Sequence, residues 1–170
     1  MGWFKEASNN KFIKKIKEIL KSHPFVLEMS KYYNIPLSEI DTHLKIQICD
    51  LKGKFAEGNG KLIRIDKNLL NKDFFKENFH FIIHEFFHWL KRRSEDKFYF
   101  NDPEEVQSFV IQMTWQLIEG KNEEDIIKNI YPIVQNHFND KEKSKKIFKE
   151  MINKSLYLFK VYKNNKNLSI

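Results

Sequence analysis

The chain has 170 residues, 41% of them apolar with sixteen Phe, enough to close a sizeable core; its one cysteine, Cys49, excludes an internal disulfide and any cluster of thiolate metal ligands. The net charge of +7 comes from lysine spread along the whole chain, with only Arg64, Arg92 and Arg93 as arginine and no binding motif, which argues against a nucleic-acid partner. No stretch is apolar and long enough for a secretory leader or a membrane span, so the sequence predicts one domain over residues 1–163 in a reducing, cytoplasmic compartment, with a polar, frayed tail at 164–170.

Taken in chain order, Phe12, Ile13, Ile16, Ile19 and Leu20 recur at helical spacing and predict an amphipathic first helix. Its basic outer face would suit a membrane surface, but a stripe of this kind far more often faces a core. Pro24 opens a second, short helix, which Asn34 to Pro36 ends. From Leu44 to Asp66 the period changes. Ile46 and Ile48 alternate with polar neighbours, then Gly53, Gly58, Asn59 and Gly60 signal turns, then Leu62, Ile63 and Ile65 follow. Two or three short strands are expected, the last at about Lys61 to Asp66. A helix follows, capped by either Asn71 or Asp73 and running to about Arg93, with Lys91, Arg92 and Arg93 at the negative end of its dipole.

After a polar loop, Ser94 to Asp102, the run Asp102-Pro103-Glu104 starts a helix that continues to about Glu119 and stops at Gly120. Two amphipathic helices complete the chain, at about Glu123 to Phe138 and Lys141 to Tyr162. The last carries Ile147, Phe148, Met151, Ile152, Ser155 and Phe159 on one face. The fold class is therefore α+β and predominantly helical, with a small β-sheet beside the central helix and a helical C-terminal half.

The central helix contains His84-Glu85-Phe86-Phe87-His88. Residues four apart lie one turn apart on one face, so the two imidazoles can aim at a single ion, and the absence of thiolates leaves His and carboxylate as the ligands of a zinc site. Glu85 leaves the helix about 100° around from His84, beside such an ion, where its carboxylate can take a proton from an attacking water. Composition alone produces this spacing by chance in about 0.02 of such chains. Context strengthens the signal, because every residue from Phe81 to Leu90 other than His84, Glu85 and His88 is apolar. Buried imidazoles must be hydrogen-bonded or metal-bound. The competing reading is a pair of histidines packed in a core and bonded to backbone. His80, one turn before His84, is too far up the helix to share the ion and is expected to hydrogen-bond or face solvent.

HEFFH on a helix, behind a glycine-rich hairpin and strand, resembles the zincin metallopeptidases, in their short gluzincin-like branch, over about Lys61 to Phe109. The resemblance implies a minimal zincin fold, one bound zinc ion, and a hydrolase acting on a peptide or protein substrate. It also implies a third ligand from the next helix. Glu104-Glu105-Val106-Gln107-Ser108-Phe109 resembles the branch's acidic stretch followed by a small residue, and points to Glu105, with its neighbour Glu104 as the alternative. The strand Lys61 to Asp66 corresponds to the edge strand along which zincins bind extended peptides. Trp89-Leu90-Lys91-Arg92-Arg93 lacks the Gly and third His of the metzincin branch. The chain also departs from the larger gluzincins: Phe109 stands four residues after Glu105, where they carry an Asp. No residue is marked as oxyanion stabiliser, and Tyr99, Tyr131 and His137 are candidates by type alone. The rival reading is a catalytically inactive zincin-like structural or interaction module of a phage or mobile element. A protease that regulates such an element is a sub-case of the first.

Overall fold

The computed structural model describes residues 2–93, 103–138 and 140–167, and within residues 2–8, 72–74, 93, 166 and 167 only the backbone. The chain divides into two compact units, Met1–Lys97 and Phe98–Ile170. Seven α-helices and one three-stranded sheet are present among the described residues, so the class is α+β and mainly helical. No helix there is long and apolar enough to cross a membrane.

The first unit opens with α1 (Gly2–Ser22) and α2 (Pro24–Tyr33). Ile16 and Leu20 of α1 are fully buried, as the stripe predicts, while Lys11, Lys14 and Lys15 are exposed. Pro24 fits the first turn of α2 because that position has no helical acceptor for an N–H, and Asn34 closes the helix in the left-handed region at φ 55. A five-residue helix, α3 (Ser38–Thr42), follows and buries Ile40. It is too short to show a period in the sequence.

Three strands come next: β1 (Lys45–Cys49), β2 (Ala56–Gly58) and β3 (Leu62–Asp66). Their spatial order is β1-β3-β2, with β3 parallel to β1 and antiparallel to β2. Ile46 pairs with Ile63 and Ile48 with Ile65, so the apolar residues of both strands share one face. β3 is thus the central strand, not the edge strand expected from the sequence. Sequence order cannot show this, because β1 pairs with β3 and not with β2, the strand next to it in the chain. The edge beside the hairpin is β2.

Asp66, 3% exposed, ends β3 and ties three segments together. One carboxylate oxygen accepts the amide of Asn68, capping a single 3-10 turn at Lys67–Leu70, and the other accepts the amide of Leu51 at 2.7 Å. The long helix α4 (Lys72–Arg93) follows. Its first backbone bond runs from the Phe75 N–H to the Asn71 carbonyl, which puts Asn71, not Asp73, at the cap. α4 packs on α2, β2, β3 and the 3-10 turn.

The second unit is a three-helix assembly of α5 (Glu104–Ile118), α6 (Glu123–Phe138) and α7 (Lys141–Asn167). The expected cap, Asp102, lies outside the described residues, and Gly120, at φ 87, follows the end of α5 as expected. Val106, Phe109, Val110 and Met113 meet Ile126, Ile130 and Val134 of α6 and Phe148, Met151 and Ile152 of α7 in one cluster. The Ser155 hydroxyl, fully buried, donates to the Val110 carbonyl at 3.2 Å and joins α7 to α5. The tail expected to fray continues α7 to Asn167, since neither Gly nor Pro after Tyr162 stops a helix.

Candidate metal centre

α4 carries apolar residues nearly all round its middle: Ile82, Ile83, Phe86, Phe87 and Leu90 are fully buried and Trp89 is 1% exposed. A helix of that kind is fixed by packing on several sides. The Phe87 ring meets Tyr33 of α2 edge-on at 6.0 Å, and Phe81 stacks on Phe55 at 4.8 Å. The polar side chains of the motif therefore emerge from a rigid support, which a ligand pair needs.

His84 is 9% exposed and His88 half-buried, and their Nε2 atoms lie 3.3 Å apart. Two nitrogens bound tetrahedrally to one zinc at about 2.0–2.1 Å are separated by roughly 3.3–3.4 Å. The two rings hold that separation through side-chain rotamers one helical turn apart, with centroids 5.1 Å apart and planes at 62°. At the same distance one ring can instead donate a hydrogen bond to the other, provided their tautomers differ.

Glu85 is half-buried and leans on the sheet. Gly58, the last residue of β2, faces it so closely that a Cβ at that position would sit 2.6 Å from Glu85 Oε2 and 3.4 Å from Glu85 Cβ. Two residues further on, Gly60 at φ 71 has the aliphatic stem of Arg92 where a Cβ would stand. Asn59 shapes the turn between them by accepting the amides of Lys61 and Leu62 through Oδ1. The sequence signals at Gly58 and Gly60 read only as a turn; their second role, close approach to α4, needs the partner helix to be visible.

On the other face of the hairpin, Lys54, Glu57, Gly58, Asn59, Leu62 and Arg64 line an open cleft of about 340 Å3. Glu57 pairs with Lys54 at 3.0 Å and Arg64 at 3.2 Å. The hydrogen bonds from Lys54 and then Arg64 hold its carboxyl below the usual carboxylate range. Strand alternation sends Glu57 away from α4 and leaves Gly58 toward it.

The remaining candidates divide between the units. His80 is buried at 6% exposure with its ring against Phe81, so it is not a solvent-facing residue. In the second unit, Glu104 and Glu105 occupy the first turn of α5, both half-buried, where carboxylates suit the positive end of the helix. Ser108, the small residue of the acidic stretch, donates its hydroxyl to the Glu105 carbonyl at 2.8 Å. Phe109 belongs to the apolar cluster of that unit. Tyr131 packs on Phe148 and His137 lies edge-on to Phe109; Tyr99 lies outside the described residues. Cys49 is free and half-buried.

Compared with known proteins, the chain matches no family model, no curated protein and no solved structure.

Proposed function

We propose that this chain is a zinc-dependent metallopeptidase with a minimal zincin fold, in which His84, His88 and Glu105 hold one zinc ion and Glu85 is the general base. The observation that carries the reading is the His84–His88 pair, whose 3.3 Å nitrogen separation fits two ligands of a single tetrahedral ion, on a helix that also presents Glu85. Further support comes from the donor set. His84 and His88 offer imidazole nitrogens from α4, and Glu105, the third ligand that the gluzincin-like resemblance implies, offers a carboxylate from the first turn of α5. Two imidazoles and a carboxylate make a three-ligand set that leaves a zinc position open for water, the pattern of catalytic rather than structural zinc.

Zinc held there supplies Lewis acidity toward a peptide carbonyl and lowers the pKa of water near neutrality. The protein's own part is proton handling and positioning. Glu85 accepts the proton of the attacking water and returns it to the leaving amine. β2 is the strand available to an extended substrate: it pairs with β3 on one side, lies against α4, and can take a peptide by backbone hydrogen bonding. This moves the substrate strand proposed from the sequence one strand outward, from β3 to β2.

Zinc content by elemental analysis tests the site. About one zinc per chain is expected in the wild type, with none in the His84→Ala, His88→Ala double variant and weakened binding in Glu105→Ala but not Glu104→Ala. Glu85→Gln is expected to keep the metal and to lose hydrolysis of a peptide substrate; an undiminished rate in that variant would remove Glu85 from the mechanism.

A second reading is favoured by the same distance. A direct hydrogen bond between the two imidazoles engages both Nε2 atoms without a metal, as in an inactive zincin-like interaction module of a phage or mobile element. Absence of zinc from wild-type protein, even after zinc is added, selects that reading.

A further inference from the structure

Two glycines of the hairpin formed by β2 and β3 lie directly against side chains of α4. Gly58 lies against Glu85 and Gly60 against Arg92. Seven residues separate Glu85 from Arg92, close to two helical turns, so both side chains leave α4 on one face and the hairpin runs along it. The two glycines are required for different reasons. Gly60 has φ 71, which strains any side chain, and its Cβ position is taken by the Arg92 stem. Gly58 has an ordinary φ, so its backbone tolerates any residue. What it lacks is room on the Glu85 side: a Cβ would meet the carboxylate oxygen at 2.6 Å, well inside packing distance, and the side chain's Cδ at 3.5 Å.

We infer that Gly58 is a positioning residue for Glu85, its missing side chain being the space in which the carboxylate lies. The atom a Cβ displaces is the far end of a flexible side chain, which swings away by rotation about its own bonds. The fold therefore yields little when Gly58 is substituted, and the position of the carboxylate yields most. A general base must stand within hydrogen-bond reach of the water it deprotonates, and misplacement by about 1 Å lowers a rate by up to about a hundredfold. This inference rests on the assignment of Glu85 as base, but displacement of its carboxylate can be seen whether or not the protein is a peptidase.

The test compares Gly58→Ala and Gly60→Ala with the wild type in four measurements: zinc content, melting temperature, cleavage of fluorescently labelled casein, and the crystal structure of the variant. For Gly58→Ala we expect zinc content and melting temperature close to wild type, the Glu85 carboxylate moved by about 1 Å or more, and kcat lowered between about tenfold and a hundredfold with KM little changed. For Gly60→Ala we expect a lower melting temperature, because backbone and Arg92 must both shift. A Gly58→Ala structure with the carboxylate unmoved overturns the inference, as does a Gly58→Ala rate equal to that of a wild type that cleaves casein. If wild-type protein leaves casein intact, the crystal structure alone decides the inference, and the peptidase assignment fails for that substrate independently.

Discussion

Asp66 illustrates how much a single side chain decides in the first unit. It is 3% exposed and accepts two backbone amides, from Leu51 on one side of the sheet and from Asn68 in the turn that leads into α4. Removing it orphans both donors near the end of the strand that supports the motif helix. Asp66→Ala is expected to destabilise the protein by about 2–4 kcal/mol, from two lost carboxylate hydrogen bonds and a lost cap, as read from urea unfolding. The carboxylate of Asp50 contrasts with it. It lies on the surface, its pKa is lowered chiefly by the hydrogen bond from Lys67, and a surface pair of that kind contributes little. At the same scale, His84, Glu85 and His88 were all legible in the sequence, because spacing on one helix fixes their relative directions. Gly58 was not, because its neighbour Glu85 is 27 residues away in the chain.

The helices followed their sequence signals closely wherever those signals were local. Pro24 and Asn34 bound α2, Gly120 follows the end of α5, and α6 spans Glu123–Phe138 as its apolar period indicates, with the exposed Pro132 tolerated inside it. The apolar face expected of α7 is the one buried: Phe148, Met151, Ile152 and Ser155 are each at most 8% exposed. Truncating the centre of that face, Met151→Ala, is expected to cost about 2–5 kcal/mol, since Met151 is fully buried and leaves a cavity between three helices. Thermal melts that reported a loss below about 1 kcal/mol would mean that the cluster collapses around the gap. Strand pairing behaved differently. The run at Leu62–Asp66 reads correctly as a strand, but its position in the sheet depends on β1, which follows no turn signal toward it.

Metal binding, if it occurs at the proposed site, is a property of the whole molecule, because it links folding to zinc concentration. A ligand that binds only the native state at a hundredfold above its Kd stabilises it by about 2.7 kcal/mol. The melting temperature of zinc-loaded protein is therefore expected to exceed that of chelator-treated protein and to rise with added zinc, while the His84→Ala, His88→Ala variant responds to neither. Equal melting temperatures with and without chelator in the wild type would favour the imidazole pair as a metal-free contact.

By itself the sequence determined the helix periods, the helix boundaries at Pro24 and Gly120, the helical α+β class and the His84, Glu85, His88 constellation, because each is encoded within a few residues of itself. Only the tertiary structure decided that β3 is central and β2 is the edge, that the chain forms two compact units, and that Gly58 faces Glu85. The physical reason is range. Backbone hydrogen bonding and side-chain periodicity act over one or two turns and leave a pattern in the sequence, whereas strand order and close approach join residues whose separation along the chain carries no information about their contact.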